Sequence, residues 1–204
     1  MKVELHLHTS RYSGCAIATP AEVMGKLVAA GYDAVYITEH DTVWPEWEIA
    51  QLQQEFPQIR IFAGVELSVG RPDTPLQHLL VLGTSDSWYL SVRDVPAILE
   101  RARAEGHLTI LAHPTRWEGA ATIVEQGLLP DALEYRTANL GPDEAAGAEA
   151  LAARHGLPLL NAGDVHGPDF VDRFWIETAR PVEQAGDIRS IVLDGAYENR
   201  PGEE

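Results

Sequence analysis

The sequence contains a single cysteine, Cys15, among its 204 residues. One thiol forms no disulfide within the chain, and it rules out a zinc site built from two or more cysteines. Any metal bound by this chain must therefore be held by histidine and carboxylate side chains.

Basic residues are also scarce, since Lys and Arg number 15 against 31 Asp and Glu, a formal net charge of −16. Such a chain is poorly suited to extended nucleic acid or to an acidic membrane surface. The apolar runs, such as residues 79–82, fall far short of the ~18 residues of a membrane-spanning helix. The first six residues include Glu4 and His6 and lack the apolar stretch of a secretory signal. We expect a cytoplasmic protein that acts on a small molecule, and the composition indicates no particular oligomeric state.

Short apolar runs alternate with helical patterns along the chain, which is typical of α/β proteins with a parallel sheet. We predict one domain over residues 1–198, a loop at 70–75 and a short acidic tail over 199–204. The predicted strands are 3–7, 34–38, 59–66, 78–82, 108–112, 132–135, 159–161 and a less regular eighth at 174–177. A first helix begins at Thr19-Pro20-Ala21-Glu22 and ends at Gly31, and further helices are predicted at 46–56, 95–105, 120–125, 143–155 and 182–192.

Six of the eight histidines lie at or next to predicted strands: His6, His8, His40, His78, His113 and His166. The carboxyl ends of parallel strands in a barrel converge on one mouth, so residues there can share a site. Asp41, Glu66 and Asp164 have the same placement. Imidazole and carboxylate without thiolate suit zinc, manganese or iron. His107 and His155 precede their strands and are predicted at the opposite rim.

Two pairs of these residues have a spacing that favours shared binding of one ion. In His6-Leu7-His8 the two imidazoles lie two residues apart, so on a strand they point to the same face. Asp164-Val165-His166 repeats the spacing. The alternative for any single histidine, such as His78 on its apolar strand, is a polar rim residue without a ligand role.

In these residues the chain resembles the PHP superfamily, the polymerase and histidinol phosphatase superfamily of metal-dependent phosphoesterases. Four motifs of the family occur in order: His6-Leu7-His8-Thr9, Ile37-Thr38-Glu39-His40-Asp41, Leu111-Ala112-His113-Pro114 and Gly163-Asp164-Val165-His166. Gly64-Val65-Glu66 and His78 lie between the second and the third of these motifs. The resemblance implies an α/β fold, a distorted parallel (β/α)7 barrel that is TIM-barrel-like, with two or three divalent ions at its mouth.

The resemblance also implies a distribution of ligands. His6, His8, Glu66 and Asp164 hold one ion, Glu66 bridges to a second ion that His78 and His113 complete, and His40 and His166 hold a third. The family usually supplies a further His or Asp to the third ion shortly after the first motif, where this chain reads Tyr12-Ser13-Gly14-Cys15. The third site is therefore expected to be weak, completed by water or filled only with substrate. Glu39 stands where the family commonly has Asp.

Hydrolysis of a small phosphate monoester, a nucleotide or a sugar phosphate, is the leading interpretation, because metal ions activate water and clamp phosphate oxygens. Arg116 is predicted to contact the phosphate, and its alternative role is a surface ion pair. Asp41 is predicted to transfer a proton, and its alternative role is to cap a helix. Arg136 is a second candidate for the phosphate. The same chemistry admits amide or ester hydrolysis. A metal-binding regulatory module with little catalysis is the interpretation from a different class.

Overall fold

The computed structural model describes residues 1–70 and 75–202, and across these ranges the chain forms a nine-stranded sheet curled into a nearly closed barrel. The strands are β1 Lys2–Glu4, β2 Ala34–Ile37, β3 Arg60–Val69, β4 Gln77–Leu82, β5 Leu108–Ala112, β6 Ala132–Glu134, β7 Leu159–Leu160, β8 Phe174–Thr178 and β9 Tyr197–Pro201. The helices are α1 Pro20–Ala29, α2 Glu46–Glu55, α3 Trp88–Ser91, α4 Val95–Glu105, α5 Thr122–Glu125, α6 Pro142–His155 and α7 Asp187–Leu193, with a 3-10 turn at Pro168–Phe170.

The predicted α/β barrel is confirmed, but its strands are not all parallel. β4 runs antiparallel to β3 and β5, and β8 runs antiparallel to β1 and β9. The connection between β3 and β4, residues 70–76, is too short for a parallel crossover, which needs about a dozen residues or more. The reversal places the start of β4, and with it His78, at the mouth where the parallel strands end.

Glu4 ends β1 earlier than predicted. Its Oε1 accepts hydrogen bonds from the amides of Leu5 and His6, both at 3.0 Å, so these amides do not continue the ladder. The chain then pairs with the segment after β7, where the amide of His8 donates to the carbonyl of Val165 at 2.8 Å. This contact closes the barrel at the mouth.

β9 joins β8 to the β7 segment in the barrel wall, and α7 packs against the inner layer of the barrel. Asn199 on β9 accepts from the amide of Asn161 at 2.7 Å and donates to the carbonyl of Leu159 at 2.9 Å. Ile188 and Ile191 of α7 belong to the same buried cluster as the inward-facing strand residues. Alternation along β4 shows the two layers: Leu80 and Leu82 face this inner cluster, whereas Leu79 and Val81 pack with the outer one against α4.

Among the other boundaries that differ from the prediction, two have a clear physical cause. Residues 199–201, expected in the tail, belong to β9, whose polar side chains resemble a tail because this edge strand is partly exposed. α7 begins at Asp187 rather than at residue 182, because the Asp187 carboxylate accepts from the amides of Glu183 and Gln184 and holds them in a turn. Residues 71–74 of the predicted loop and 203–204 of the tail lie outside the described residues. No helix in the described ranges is long and apolar enough to cross a membrane.

Candidate metal centre

The predicted ligands converge at the mouth from six places in the chain, as the strand order requires. His6 and His8 follow β1, His40 follows β2, and Glu66 lies within β3. The remaining members of the cluster are His78 at the start of β4, His113 directly after β5, and Asp164 and His166 after β7.

Glu66 lies at the centre of this cluster and is fully buried. Its Oε2 is 3.1 Å from nitrogens of three histidines, His6, His8 and His40. Its Oε1 faces two others, at 2.7 Å from Nδ1 of His78 and 3.1 Å from Nε2 of His113. Each oxygen of one carboxylate therefore serves a different set of imidazoles, which is the arrangement of a bridging ligand.

Asp164 forms a second focus beside Glu66. Its Oδ1 is 3.4 Å from Nε2 of His6, 3.5 Å from Nε2 of His8 and 3.4 Å from Nδ1 of His166. Its Oδ2 accepts a hydrogen bond from Asn139 at 2.7 Å, which fixes the carboxylate plane. Three groups of donors are compact enough for one ion each: His6 with His8 and Asp164, His40 with Glu66 and His78, and His8 with His40 and His166.

The donor atoms fit a metal better than they fit one another. Nε2 of His6 and Nε2 of His8 face each other at 3.0 Å. Nδ1 of His78 approaches Glu66 at 2.7 Å without making a hydrogen bond. Two donors about 2.1 Å from one ion stand about 3.0–3.4 Å apart at octahedral to tetrahedral angles. The residues present therefore fit divalent cations.

The charges of the cluster favour the binding of a cation. Burial opposes ionisation of Glu66, but the charge of His6 and hydrogen bonds from His113 and His6 hold its pKa well below its ordinary value. Burial lowers the pKa of His40 to about 4, and burial also lowers that of His166. Near neutral pH the carboxylates of Glu66 and Asp164 are therefore ionised and the imidazoles of His40 and His166 are neutral. Burial opposes the charged form of His6 and His8, but contacts with Glu66 and Asp164 raise the pKa of both imidazoles, so a cation that binds there displaces a proton.

Three residues at the mouth have left-handed backbone conformations that side chains rarely adopt. The φ angles are +46° at Asp41, +31° at His113 and +47° at Asp164, each just after a strand. Such strain persists where surrounding structure enforces it, and it is concentrated at functional sites.

Sequence reasoning missed two buried carboxylates that support the ligands. Glu134, the last residue of β6, accepts from Nδ1 of His6 at 2.8 Å and from the amide of His113 at 2.7 Å. Glu4 accepts from the amide of Gly163 at 2.7 Å, and burial raises its pKa to about 7. The available signal was an acidic residue within an otherwise apolar strand, since such a residue is rarely buried without a partner.

Comparison with solved structures gives the same picture of the fold. A two-domain protein from Bacteroides vulgatus, which contains a predicted PHP-like metal-dependent phosphoesterase, matches 99% of this chain with a TM-score of 0.72 and 18% identity. The fold is of the PHP type. A protein from Bifidobacterium adolescentis assigned as a metal-dependent phosphoesterase matches 93% of the chain and 94% of its own, at TM-score 0.63 and 15% identity.

An amidohydrolase from Chromobacterium violaceum, determined with bound sulfate and no metal, is also similar to this chain in fold. It covers 82% of this chain and 88% of its own, with a TM-score of 0.62 and 16% identity. The error-prone DNA polymerases of Mycobacterium bovis and Mycobacterium tuberculosis are 33% identical over 92 residues, 42% of this chain. The chain spans 8% of these polymerases and 65% of the two-domain protein. No family model matches the chain.

On this PHP-type barrel, Arg116 and Trp117 extend the mouth beyond His113. Nη1 of Arg116 lies 3.6 Å from Oδ2 of Asp164, and its side chain is 39% exposed. The Trp117 ring lies 5.6 Å from the ring of His78 and 5.2 Å from that of His113. Trp44 is buried and donates to Glu39 at 3.1 Å. Trp88, on α3 beyond the end of β4 that lies away from the mouth, packs on Arg101.

The other predicted residues lie further from the ligands. Asp41 is at the rim beside His40, where its Oδ1 accepts from the amide of Ser68 at 3.0 Å and from Arg93 at 3.3 Å. Arg136 lines a separate cavity of about 560 Å³ with Arg173 and Phe174. His107 lies 3.4 Å from Glu105 near the end of α4, and His155 ends α6.

Proposed function

We propose that this protein is a metal-dependent phosphoesterase that hydrolyses a small phosphate monoester, such as a nucleotide or a sugar phosphate. The observation that carries the proposal is Glu66, whose two oxygens face two different sets of imidazoles. A paired cation site of this kind suits displacement at phosphorus, since both the attacking and the leaving oxygen need stabilisation.

We assign the ligands as the resemblance to the PHP superfamily implies. His6, His8, Glu66 and Asp164 hold one ion, and Glu66 with His78 and His113 holds a second. A third ion, where present, rests on His40 and His166. Zinc, manganese and iron suit this set of imidazoles and carboxylates. Bound there, divalent ions supply Lewis acidity and acidify water near the substrate.

The chain itself contributes binding and proton transfer. Arg116 is placed to donate to a phosphate oxygen, because its exposed guanidinium reaches the edge of the cluster. Asp41 is proposed to accept or return a proton through Oδ2, since its Oδ1 is engaged by Ser68 and Arg93. The net charge of −16 favours a small substrate over extended nucleic acid.

Phosphate release from a panel of nucleotides and sugar phosphates, by manganese-reconstituted protein, tests the proposal. Asp164→Ala is the paired variant and is expected to lose both metal and activity. His155→Ala is the matched control and is expected to keep both, because His155 ends α6 on the far side of the barrel. No phosphate release from metal-loaded protein with any substrate would overturn the proposal.

Hydrolysis at carbon, of an amide or ester, is the second candidate. It is favoured by the amidohydrolase of Chromobacterium violaceum, which is similar to this chain in fold. Rates on p-nitrophenyl phosphate and p-nitrophenyl acetate separate the two, provided that both are compared with Asp164→Ala. Metal-dependent turnover of the acetate without turnover of the phosphate would favour the second candidate.

A further inference from the structure

Ser13, in the turn after the first motif, uses every hydrogen-bonding position of its hydroxyl. The side chain is buried, and its Oγ donates to Oε2 of Glu39. The same oxygen lies 3.3 Å from Nδ1 of His8 and accepts from the amide of His40 at 3.2 Å. A serine hydroxyl has one proton to donate and two lone pairs to accept with. All three are occupied, so none is left for a metal ion.

The acceptor that receives the Ser13 proton is itself fixed. Glu39 also accepts from the amide of Thr9 at 3.1 Å, from the Thr9 hydroxyl and from Nε1 of Trp44 at 3.1 Å. Both oxygens of Glu39 therefore act as acceptors towards these donors, and Oε2 accepts from Ser13 in the same way. The Ser13 hydroxyl must therefore point its hydrogen at Glu39 and its lone pairs at His8 and His40.

This direction determines which nitrogen of His8 carries the proton. Nδ1 of His8 has to donate to Ser13, which leaves the lone pair on Nε2. Nε2 is the nitrogen that faces Glu66 at 3.1 Å and Asp164 at 3.5 Å. The neighbouring ligand His6 is oriented in the same sense by Glu134, which contacts its Nδ1 directly at 2.8 Å.

We infer that Ser13 is a positioning residue, which relays the charge of Glu39 to His8 and holds Nε2 of His8 toward the metal, and that Ser13 is not a ligand. The inference rests on the metal centre of the proposed function and deepens it. It also means that the third ion receives no ligand from Ser13 and rests on His40 and His166. A hydroxyl relay is expected to tune ligand affinity as other supporting partners of metal-bound histidines do.

The test uses the full chain loaded with zinc, a diamagnetic ion. Imidazole ¹⁵N shifts of wild type assign which His8 nitrogen is protonated and which is bound to zinc, without any variant. Zinc content at saturation and zinc affinity by chelator competition are then measured for wild type, Ser13→Ala and Ser190→Ala. Ser190 is an exposed serine on α7 and serves as the matched control.

We expect a protonated Nδ1 and a zinc-bound Nε2 on His8 in wild type. Ser13→Ala is expected to bind the same number of zinc ions at saturation, but with an affinity weakened about 10- to 100-fold, whereas Ser190→Ala matches wild type. Zinc bound at Nδ1 of His8, or one ion fewer at saturation in Ser13→Ala, would overturn the inference. These readouts do not involve turnover, so a failure of the phosphoesterase proposal is recognised separately, by absent phosphate release with zinc binding intact.

Discussion

Arg116 is a cation beside the cluster, with its Nη1 3.6 Å from Oδ2 of Asp164. Removing a charge-assisted hydrogen bond to a phosphate costs about 1.5–3 kcal/mol, or roughly 10- to 100-fold in binding. We therefore expect Arg116→Ala to raise KM for a phosphate monoester by about that factor, and Arg116→Lys to recover part of it, because lysine lacks the bidentate fork. Steady-state kinetics measure both effects.

Arg136→Ala provides the control, since Arg136 lines a different cavity. It is expected to keep the KM of wild type. Equal KM values for Arg116→Ala and wild type would remove Arg116 from the binding site and leave it as a surface cation.

His107 is expected to make the stability of the folded protein depend on pH, independently of the metal centre. Burial lowers the pKa of His107, and the charge of Glu105, 3.4 Å away, offsets this only in part. Below about pH 6.5 the unfolded chain therefore binds a proton at His107 that the folded protein does not. Stability from this residue is present at higher pH and is lost as the pH falls through the unfolded-state value.

We expect His107→Gln to lose less stability than wild type between pH 7.5 and pH 5.5, because the variant has no imidazole to protonate. Urea unfolding of the two proteins at both pH values measures the difference. Parallel losses in wild type and variant would show that His107 titrates alike in the folded and unfolded states.

Residue types and spacing were enough to predict the side chains that gather at the mouth. They follow strands, and in a barrel the strand ends meet. The residues that hold them were not predictable in the same way. Glu134 contacts His6 from 128 residues away, so this contact depends on how the barrel closes. Ser13 is only five residues from His8, but its spacing does not show whether it binds a metal or a ligand.

At the scale of elements, Gly163 shows how tightly the segment after β7 is packed. A Cβ at this position would lie 2.5 Å from a methyl group of Val165 and 2.6 Å from Oε2 of the buried Glu4. Gly163→Ala is therefore expected to destabilise the protein by about 1–3 kcal/mol, the usual cost of overpacking. The adjacent Asp164 should shift with the backbone and metal affinity should fall.

Gly25 in α1 supplies the opposite case, since a Cβ there would meet nothing within 4 Å. Gly25→Ala is expected to raise stability by about 0.5–1 kcal/mol, because alanine loses less conformational entropy in a helix. Urea unfolding and chelator competition on both variants test the pair. A Gly163→Ala protein as stable as wild type would show that the closure of the barrel tolerates a side chain.

Element type was predictable where local chemistry determines it. Thr19 caps α1 and forms a capping box with Glu22, as the sequence indicated. Strand direction was not predictable from composition, because β4 is as apolar as a parallel strand and its reversal follows from the short connection before it. β9 was not predicted because its residues are polar. It pairs with β8 at the edge of the sheet, where polar side chains such as Arg200, 3.1 Å from Glu177 of β8, remain partly exposed.

At the scale of the whole molecule, the cluster couples metal binding to folding. Glu66 and Asp164 are buried beside several imidazoles, and the Nε2 atoms of His6 and His8 lie only 3.0 Å apart. The unfolded chain does not assemble this set of donors from six separate places, so a bound ion stabilises the folded state selectively. The size of that effect depends on the metal concentration relative to its dissociation constant.

At free metal 100 times its dissociation constant, one site adds about 2.7 kcal/mol, which corresponds to a rise in Tm of roughly 5–10 °C for a chain of this size. We expect zinc or manganese to raise the Tm of wild type and of His155→Ala by this amount, and a chelator to reverse it. Asp164→Ala should show a clearly smaller rise, because it loses the carboxylate that lies within 3.5 Å of three of the imidazoles, while Glu66, His78 and His113 remain. An equal rise in Asp164→Ala would place the stabilising ion elsewhere in the molecule, and no rise in wild type would mean that the folded barrel does not bind these ions selectively.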